Sequence, residues 1–285
     1  MDWIESIGKA LEYIEENLTD DIAVEQVARQ ACISSFYFQK AFAMLCGFTV
    51  GDYIRRRRLS LAGTQVQSTQ TSIIEIAQNY GYDSPDSFTK AFTRFHGATP
   101  TAVRRGGAAL KSFAPLKIKF TLEGGSMMEY KIVHKEAFTV VGVSAKFQYE
   151  GAFEAIPKFW NSYLQGENAT RICGMYGISI DQDMGSKEFD YMIADNYIPW
   201  EEIEDSLTAV TIPKHTWAVF PCRGALPKAL QGVNEKIFSE WLPNCREYEI
   251  AAGYNVEMYS DAGKCKNGIS DENYYSEIWI PVKRK

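Results

Sequence analysis

Two stretches in the first third of the chain resemble each other at a spacing of 50 residues. One reads SSFYFQKAFAMLCGFTV at residues 34–50, and the other reads SPDSFTKAFTRFHGATP at residues 84–100. A serine, two phenylalanines, a lysine, an alanine, a glycine and a threonine coincide at this spacing. Because self-similarity marks repeated structural units, the sequence predicts two similar supersecondary units in succession.

The second of these units reads as a helix, a short turn and another helix. Ser72 and Glu75 form a capping-box pair, and Gly81 supplies a helix-ending residue. Ser84 can cap the next helix, with Pro85 at its first position, where the missing N–H is not needed. The first unit shows the same order, so the sequence predicts two helix-turn-helix units.

The outer face of each second helix carries side chains suited to DNA. A helix-turn-helix holds this helix so that its outer face can enter the major groove, where Gln, Lys and Thr side chains bind base edges or phosphate. The candidate DNA-contacting residues are Ser35, Phe36, Gln39, Lys40, Pro85, Asp86, Ser87, Thr89, Lys90 and Arg94. Asp86 has an alternative role, because a carboxylate also stabilises the N-terminus of its own helix.

Between the units, residues 49–67 read as one long helix with four consecutive arginines. Four successive residues sweep roughly 300° around a helix, so they cannot all face one DNA backbone. Arg55 and Arg57 are the candidates for phosphate contact, and the others are expected to pair with acids or solvent. The helix would be ~28 Å long, which suits a spacer between recognition helices about one DNA turn, ~34 Å, apart.

The segment IIEIAQNYGYDSPDSFTKAFTRFHGATP, at residues 73–100, is similar to the signature of the AraC family of transcription regulators. The resemblance covers roughly residues 3–105. It implies sequence-specific binding of double-stranded DNA and contact with RNA polymerase. The base-contacting roles that it implies fall on Phe36, Gln39, Lys40, Ser87, Thr89 and Lys90.

A different pattern begins after the glycine pair at residues 106–107. The alternating segment LKIKFTL at residues 116–122 reads as a first strand, followed by a second glycine pair at residues 124–125. Strands followed by a helix then occur twice. We therefore predict an all-α double helix-turn-helix domain over residues 1–107, a flexible linker over 108–115 and a duplicated α+β domain over 116–285.

This second part resembles the GyrI-like effector-binding domain, over about residues 115–284. The resemblance rests on four motifs in their joint order: TWAVFPCRG (216–224), EWLPNCREYE (240–249), VEMY (256–259) and EIWIPVK (277–283). In drug-sensing members, it implies that a glutamate binds the ligand. The matching residue here is Glu257, with Tyr259 on the same strand face.

Aromatic faces attract cations, and a partly buried carboxylate adds a countercharge, so such a pair selects flat lipophilic cations. The expected effector is therefore a small amphiphilic or cationic molecule. Each aromatic residue has an alternative place in the core, and Glu257 could instead be a surface carboxylate paired with a lysine. The candidate effector-binding residues are Glu257, Tyr259, Trp160, Tyr176, Tyr191 and Trp217.

Several other function classes receive little support. The six cysteines form no C-x-x-C pair and the three histidines are scattered, so neither a metal nor another cofactor is expected. No stretch approaches the ~20 apolar residues of a membrane span, and a cytoplasmic protein is predicted.

Two alternatives stay open, a GyrI-like hydrolase of reactive small molecules and a constitutive DNA-binding protein with a protein-interaction domain. The chain has a net charge of −6, which opposes non-specific DNA coating, although residues 26–105 hold ten Arg/Lys against four Asp/Glu. The sequence leaves the oligomeric state undetermined.

Overall fold

Helices fill the first third of the computed structural model, which describes residues 3–118, 128–149, 151–181, 188–200 and 202–285, without the side chains of residues 3 and 153. The helices of this region are α1 (Trp3–Glu16), α2 (Val24–Gln30), α3 (Ser35–Cys46), α4 (Val50–Ser68), α5 (Ile73–Asn79), α6 (Pro85–His96) and α7 (Pro100–Arg104). Both helix-turn-helix patterns, α2 with α3 and α5 with α6, therefore form as the sequence predicts.

Side-chain caps start the helices of the second unit where the sequence places them. Ser72 accepts a hydrogen bond from the backbone N–H of Glu75 at 3.1 Å, and Ser84 accepts one from Ser87 at 3.2 Å. Gly97 ends α6 with a φ of 85°, a left-handed conformation that glycine adopts without strain. These local signals fix the limits of α5 and α6.

The described chain forms two compact units. One joins Met1–Cys32 with Cys46–Leu122, and the other joins Ile33–Leu45 with Glu123–Lys285. The boundary expected from the sequence placed all of the first 107 residues together. The structure instead groups most of α3 with the second unit.

The core of the first unit lies between α4, α5, α6 and α7. Its fully buried members include Phe88 and Phe92, whose ring centroids are 5.4 Å apart. His96 is also buried, and its Nε2 lies 3.0 Å from the carbonyl oxygen of Leu59 while its Nδ1 accepts from the N–H of Lys111. This arrangement satisfies the neutral ring, and burial lowers the pKa of His96.

The segment expected as a flexible linker, residues 108–115, lies against these helices. Ser60 accepts a hydrogen bond from the N–H of Phe113 at 3.0 Å, and the Phe113 ring lies 5.8 Å from that of Phe48. Residues 116–118 form no strand, and the rest of the predicted strand at 116–122 lies outside the described residues, as does the second glycine pair. Alternation alone predicted a strand there, but the backbone N–H of Leu116 donates to the hydroxyl of Tyr53, on α4, at 3.0 Å.

An antiparallel sheet with helices makes up the rest of the second unit. Its strands are β1 (Lys131–Lys135), β2 (Phe138–Gln148), β3 (Tyr176–Ile180), β4 (Glu188–Asn196), β5 (Thr208–Ile212), β6 (His215–Arg223), β7 (Tyr248–Ile250), β8 (Tyr254–Tyr259) and β9 (Tyr275–Arg284). The strand order is β1-β6-β9-β8-β3-β4-β2-β5, with β7 paired to β9, and every described pairing is antiparallel.

The remaining helices are α8 (Ala152–Gln165), α9 (Lys228–Lys236) and α10 (Leu242–Asn244), with a π-helical segment, Ile237–Trp241, between the last two. Each of α8 and α9 follows strands, as the duplicated α+β pattern predicts. The two halves of the sheet meet where β3 pairs with β8, and this pairing sets Gly177 opposite Glu257. No helix among the described residues is long and apolar enough to cross a membrane.

A prediction follows from the contact between α4 and His96. A Cβ atom built on Gly63 would lie 2.6 Å from Cε1 of His96 and 3.0 Å from a side-chain carbon of Leu110. Gly→Ala inside a helix ordinarily stabilises by about 0.5–1 kcal/mol, whereas overpacking of a buried site costs about 1–3 kcal/mol. We therefore expect Gly63→Ala to lower the free energy of unfolding by about 1 kcal/mol, measured by urea denaturation and circular dichroism.

The matched control is Gly8→Ala in α1, where the nearest atom to the new Cβ lies at 3.8 Å. This substitution should leave the protein equally or more stable, because it relieves the entropic cost of a helical glycine without a clash. A Gly63→Ala protein as stable as the Gly8→Ala protein would contradict the packing of His96 against α4.

Candidate functional site

The outer face of α6 is exposed while its inner face is buried. Phe88 and Phe92 are buried, and Thr89 is half-buried. The remaining predicted DNA-contacting residues of this helix are all exposed: Pro85, Asp86, Ser87, Lys90 and Arg94. Lys90 and Arg94 are one helical turn apart, so α6 presents two cations on one side. The side-chain oxygen of Ser87 hydrogen-bonds to Ser84, within the cap of the helix.

The arginines of α4 have mostly structural partners. Arg57 is 7% exposed and donates to both carboxylate oxygens of Glu15, at 2.9 and 2.8 Å, and also to the carbonyl of Phe113. Arg58 donates to the carbonyl of Leu18 at 2.8 Å. The interpretation of Arg57 as a phosphate contact therefore does not fit this structure, because its guanidinium is buried and bound.

Of the two predicted phosphate contacts on α4, Arg55 is the exposed one. Its guanidinium pairs with Asp52, one turn earlier on the same helix. Arg56 lies over the rings of Phe48 and Phe113, at 5.1 and 5.5 Å from their centroids. Arg55 can exchange Asp52 for a DNA phosphate at little cost, because exposed ion pairs contribute little stability. If Arg57 left Glu15 to bind a phosphate, a carboxylate that is mostly shielded from solvent would lose its partner.

On the first recognition helix, α3, two of the predicted DNA-contacting residues are buried. Ser35 is 1% exposed and Phe36 is 4% exposed. The ring of Phe36 lies 5.4 Å from that of Phe189, on β4, and 6.4 Å from that of Tyr149. Its backbone N–H donates to Asp181 at 3.2 Å, so a carboxylate of the second unit caps the start of α3. These residues cannot contact DNA in this arrangement.

Lys40 and Tyr37 attach the first half of α3 to β8. The Lys40 ammonium donates to Oδ1 of Asn255 at 2.6 Å, and the Tyr37 hydroxyl donates to the carbonyl of Tyr254. Asn255 is 1% exposed and also donates to the carbonyl of Trp279 at 3.4 Å. Burial lowers the pKa of Lys40, and the negative charge of Glu257 acts in the opposite direction. Gln39 is half-buried.

Glu257 lies in a cluster of aromatic hydroxyl and indole groups on this same face of the sheet. Tyr259 donates to its Oε2 at 2.8 Å, and Trp160 of α8 donates to the hydroxyl of Tyr191 at 2.9 Å. The rings of Trp160 and Tyr259 meet edge to face, with centroids 5.3 Å apart. Burial, and then the charge of Glu257, raises the pKa of both Tyr191 and Tyr259 well above the ordinary value.

Gly177 makes room for this cluster. A Cβ atom at Gly177 would lie 2.2 Å from the hydroxyl oxygen of Tyr191 and 3.4 Å from Oε2 of Glu257. A larger residue would therefore displace the Tyr191 hydroxyl from the neighbourhood of the carboxylate. The absence of a side chain on β3 lets groups from β4 and β8 meet across it.

The structure separates the six predicted effector-binding residues into two groups. Glu257, Tyr259, Trp160 and Tyr191 lie together. Tyr176 and Trp217 are buried in the core on the other face of the sheet, each in ring contact with Trp279. The reason is strand alternation, because Tyr176 precedes Gly177 and so points to the opposite face. These two predictions are therefore corrected.

Sequence reasoning missed three residues at this location. Asn255 lies two residues before Glu257 on β8, so the alternation of the strand could have found it. Asp181 and Tyr37 carried no recognisable signal, because their contacts join residues that are 145 and 217 positions apart.

Comparison with known proteins gives matches for both parts of the chain. A family model described as integron-associated effector binding protein matches residues 131–282, and a helix-turn-helix domain model matches residues 27–106. The transcriptional regulator Rob of Salmonella typhimurium is 26% identical over 303 residues, which cover 100% of each chain. The regulatory protein SoxS of the same organism is 34% identical over 98 residues, covering 34% of this chain and 92% of SoxS.

Among solved structures, that of SAV2435 bound to tetraphenylphosphonium matches with a TM-score of 0.47 and 24% identity. It covers 55% of this chain and 94% of that protein. Rob is named as a transcriptional regulator and SoxS as a regulatory protein.

Proposed function

Because this chain belongs to the AraC family of transcription regulators and carries an effector-binding domain of the GyrI-like, integron-associated type, we propose that a lipophilic cation binding at Glu257 regulates its binding to a specific DNA site. The observation that carries the proposal is the Glu257 cluster, in which a half-buried carboxylate lies among aromatic groups.

The exposed face of α6 supports a direct role in DNA binding. It offers Lys90 and Arg94 to phosphate or guanine. Thr89 is half-buried and the Ser87 hydroxyl bonds to Ser84 in the helix cap, so these two residues contribute less to the exposed face. Arg55 adds a further exposed cation on α4. RNA polymerase is the expected protein partner on the strength of the family resemblance, and a cytoplasmic location remains a prediction.

The chemistry of the Glu257 cluster supports a cationic effector. Its carboxylate supplies the countercharge, while the edge-to-face rings of Trp160 and Tyr259 and the Tyr191 hydroxyl border it. A delocalised cation gains from aromatic contact and loses little hydration on entering such a site. A neutral or anionic molecule would leave the carboxylate without compensation.

The DNA-binding role of α6 predicts the effect of removing one cation. With an operator selected from random duplex DNA, Lys90→Ala should weaken specific binding about tenfold, because a lysine contact to guanine or phosphate contributes about 1–3 kcal/mol. Fluorescence anisotropy at near-physiological salt would measure the dissociation constants.

The matched control is Lys9→Ala, which removes a partly exposed lysine on α1 that pairs with Glu5. It removes the same charge at a different place and should leave the operator affinity within about twofold. Equal losses for both substitutions would indicate a general charge effect, and unchanged affinity for Lys90→Ala would remove α6 as the recognition helix.

The effector site predicts a charge requirement at Glu257. Tetraphenylphosphonium, a delocalised cation without N–H donors, should bind the wild-type protein saturably in isothermal titration calorimetry. Glu257→Gln keeps the shape and removes the charge, so we expect affinity to fall at least about tenfold.

Glu249→Gln provides the control, because Glu249 is a partly exposed carboxylate of β7 paired with Lys283. Its removal changes net charge by the same amount and should not change the titration. Binding of equal strength to the Glu257→Gln protein would locate the cation elsewhere and overturn the proposed site.

A further inference from the structure

Three contacts attach α3 to the face of the sheet that carries Glu257. Asp181 accepts from the N–H of Phe36 at the helix start, Tyr37 donates to the carbonyl of Tyr254, and Lys40 donates to Asn255. The contacts are spread over the first turn and a half of the helix. The three hydrogen-bond acceptors on the sheet side are the carboxylate of Asp181, the backbone carbonyl of Tyr254 and the side-chain amide of Asn255.

Apolar contacts accompany these hydrogen bonds. The Phe36 ring packs beside Phe189, and the Tyr37 ring lies 6.3 Å from that of Phe238, in the π-helical segment after α9. Both α3 aromatics are buried, at 4% and 0% exposure. The helix therefore contacts both halves of the duplicated domain, since Phe189 belongs to β4 and Phe238 to the segment after α9.

Lys40 brings a positive charge to the proposed cation site. Its acceptor Asn255 and the carboxylate Glu257 are alternate residues of β8, so their side chains leave the same face of the strand about 7 Å apart. The Lys40 ammonium is also 5.7 Å from the centroid of the Phe36 ring. A second cation at Glu257 would face this ammonium at short range, and like charges in a poorly hydrated site repel strongly.

The same helix face is the one that the AraC resemblance assigns to DNA. Phe36, Gln39 and Lys40 must reach base edges or phosphates if α3 enters a major groove. A side chain that is buried against β4 or hydrogen-bonded to β8 cannot do so at the same time. Docking of α3 on the sheet and insertion of α3 into DNA therefore exclude each other.

We propose, building on the proposed function, that α3 is an internal competitor of the effector: Lys40 occupies the polar end of the cation site, and a lipophilic cation that binds there displaces α3 and makes it available to DNA. The protein thus has a docked state in which only α6 can read DNA and a released state with both recognition helices. The effector stabilises the released state because it and Lys40 require the same place.

This mechanism predicts that removing the internal cation strengthens effector binding. If α3 is docked in about 90% of molecules, the apparent affinity for tetraphenylphosphonium is reduced about tenfold, and Lys40→Met should restore that factor. The methionine keeps most of the apolar stem. The control is Lys283→Met, which removes an exposed lysine that pairs with Glu249 and should leave the titration unchanged.

Amine labelling measures the release of α3 without DNA. The wild-type protein would be treated with an N-hydroxysuccinimide acetate in the presence and absence of tetraphenylphosphonium, and modification of each lysine followed by mass spectrometry. We expect modification of Lys40 to increase severalfold with the cation, while that of the exposed Lys90 stays constant. Unchanged protection of Lys40 at saturating cation would overturn the competition.

A substitution outside the recognition helix and the cation cluster tests the consequence for DNA. Asp181→Ala removes the carboxylate that caps α3 in the docked state. It should raise operator affinity in the absence of effector and reduce the further gain that tetraphenylphosphonium produces. Operator affinity equal to wild type in both conditions would contradict a docked α3 as the inhibited state.

The outcomes separate this inference from the proposed function. If the wild-type protein binds the cation and Glu257→Gln does not, the effector site stands. If Lys40→Met then binds the cation as wild type does, or more weakly, Lys40 does not compete with the cation. The competition by α3 is then wrong, while the effector site at Glu257 is retained. If the cation binds independently of Glu257, the proposed effector site is wrong, and the competition that depends on it is wrong as well. Circular dichroism of Lys40→Met would confirm that it folds, and the labelling experiment requires no variant.

Discussion

A positive charge that leaves water needs a hydrogen-bond acceptor and a nearby countercharge. Lys40 finds both on β8, in the amide of Asn255 and the charge of Glu257, and this requirement explains several features of the second unit. The alternation of β8 sets the two groups on one face, and the missing side chain of Gly177 lets the neighbouring strands approach the carboxylate. The carboxylate of Glu257 can therefore act as the countercharge either for the Lys40 ammonium or for an external cation.

The second helices of the two units share a serine cap, Ser34 for α3 and Ser84 for α6, but their outer faces differ, and this difference accounts for which helix docks. At equivalent positions of the repeat, α3 has Phe36 and Tyr37 where α6 has Asp86 and Ser87. Two aromatic side chains on an outer face gain free energy by burial, about 1.5–3 kcal/mol for a ring that is fully removed from water. An aspartate and a serine gain nothing comparable and remain in solvent. The aromatic ring of Phe36 is thus matched by a protein surface, at Phe189 and Tyr149, that buries it.

Local patterns predicted the helix limits, the repeat and the duplicated strand-helix order, because caps, glycines and strand alternation act over a few residues. Glu257 was named through the resemblance to GyrI-like domains and not through a local pattern. Local patterns failed wherever a long-range partner decided the outcome. Arg57 was assigned to phosphate because no local feature indicates Glu15, and Tyr176 and Trp217 were assigned to the pocket because composition does not identify the face of a strand. Residues 108–115 were predicted to be a flexible linker, because the sequence does not reveal that their backbone N–H groups donate to Ser60 of α4 and His96 of α6.

An external cation can displace α3 only if the docking of the Lys40 ammonium on β8 is weak. The chemistry of an ammonium group makes this docking weak. A lysine ammonium is compact and strongly hydrated, so docking it removes water that one amide and one carboxylate only partly replace. The lowered pKa of Lys40 is the sign of that incomplete compensation. A lipophilic cation spreads its charge over a large surface, loses little hydration and gains contact with Trp160 and Tyr259. By reciprocity of coupled equilibria, operator DNA that captures α3 must then raise the affinity for the cation by the same factor that the cation raises the affinity for DNA.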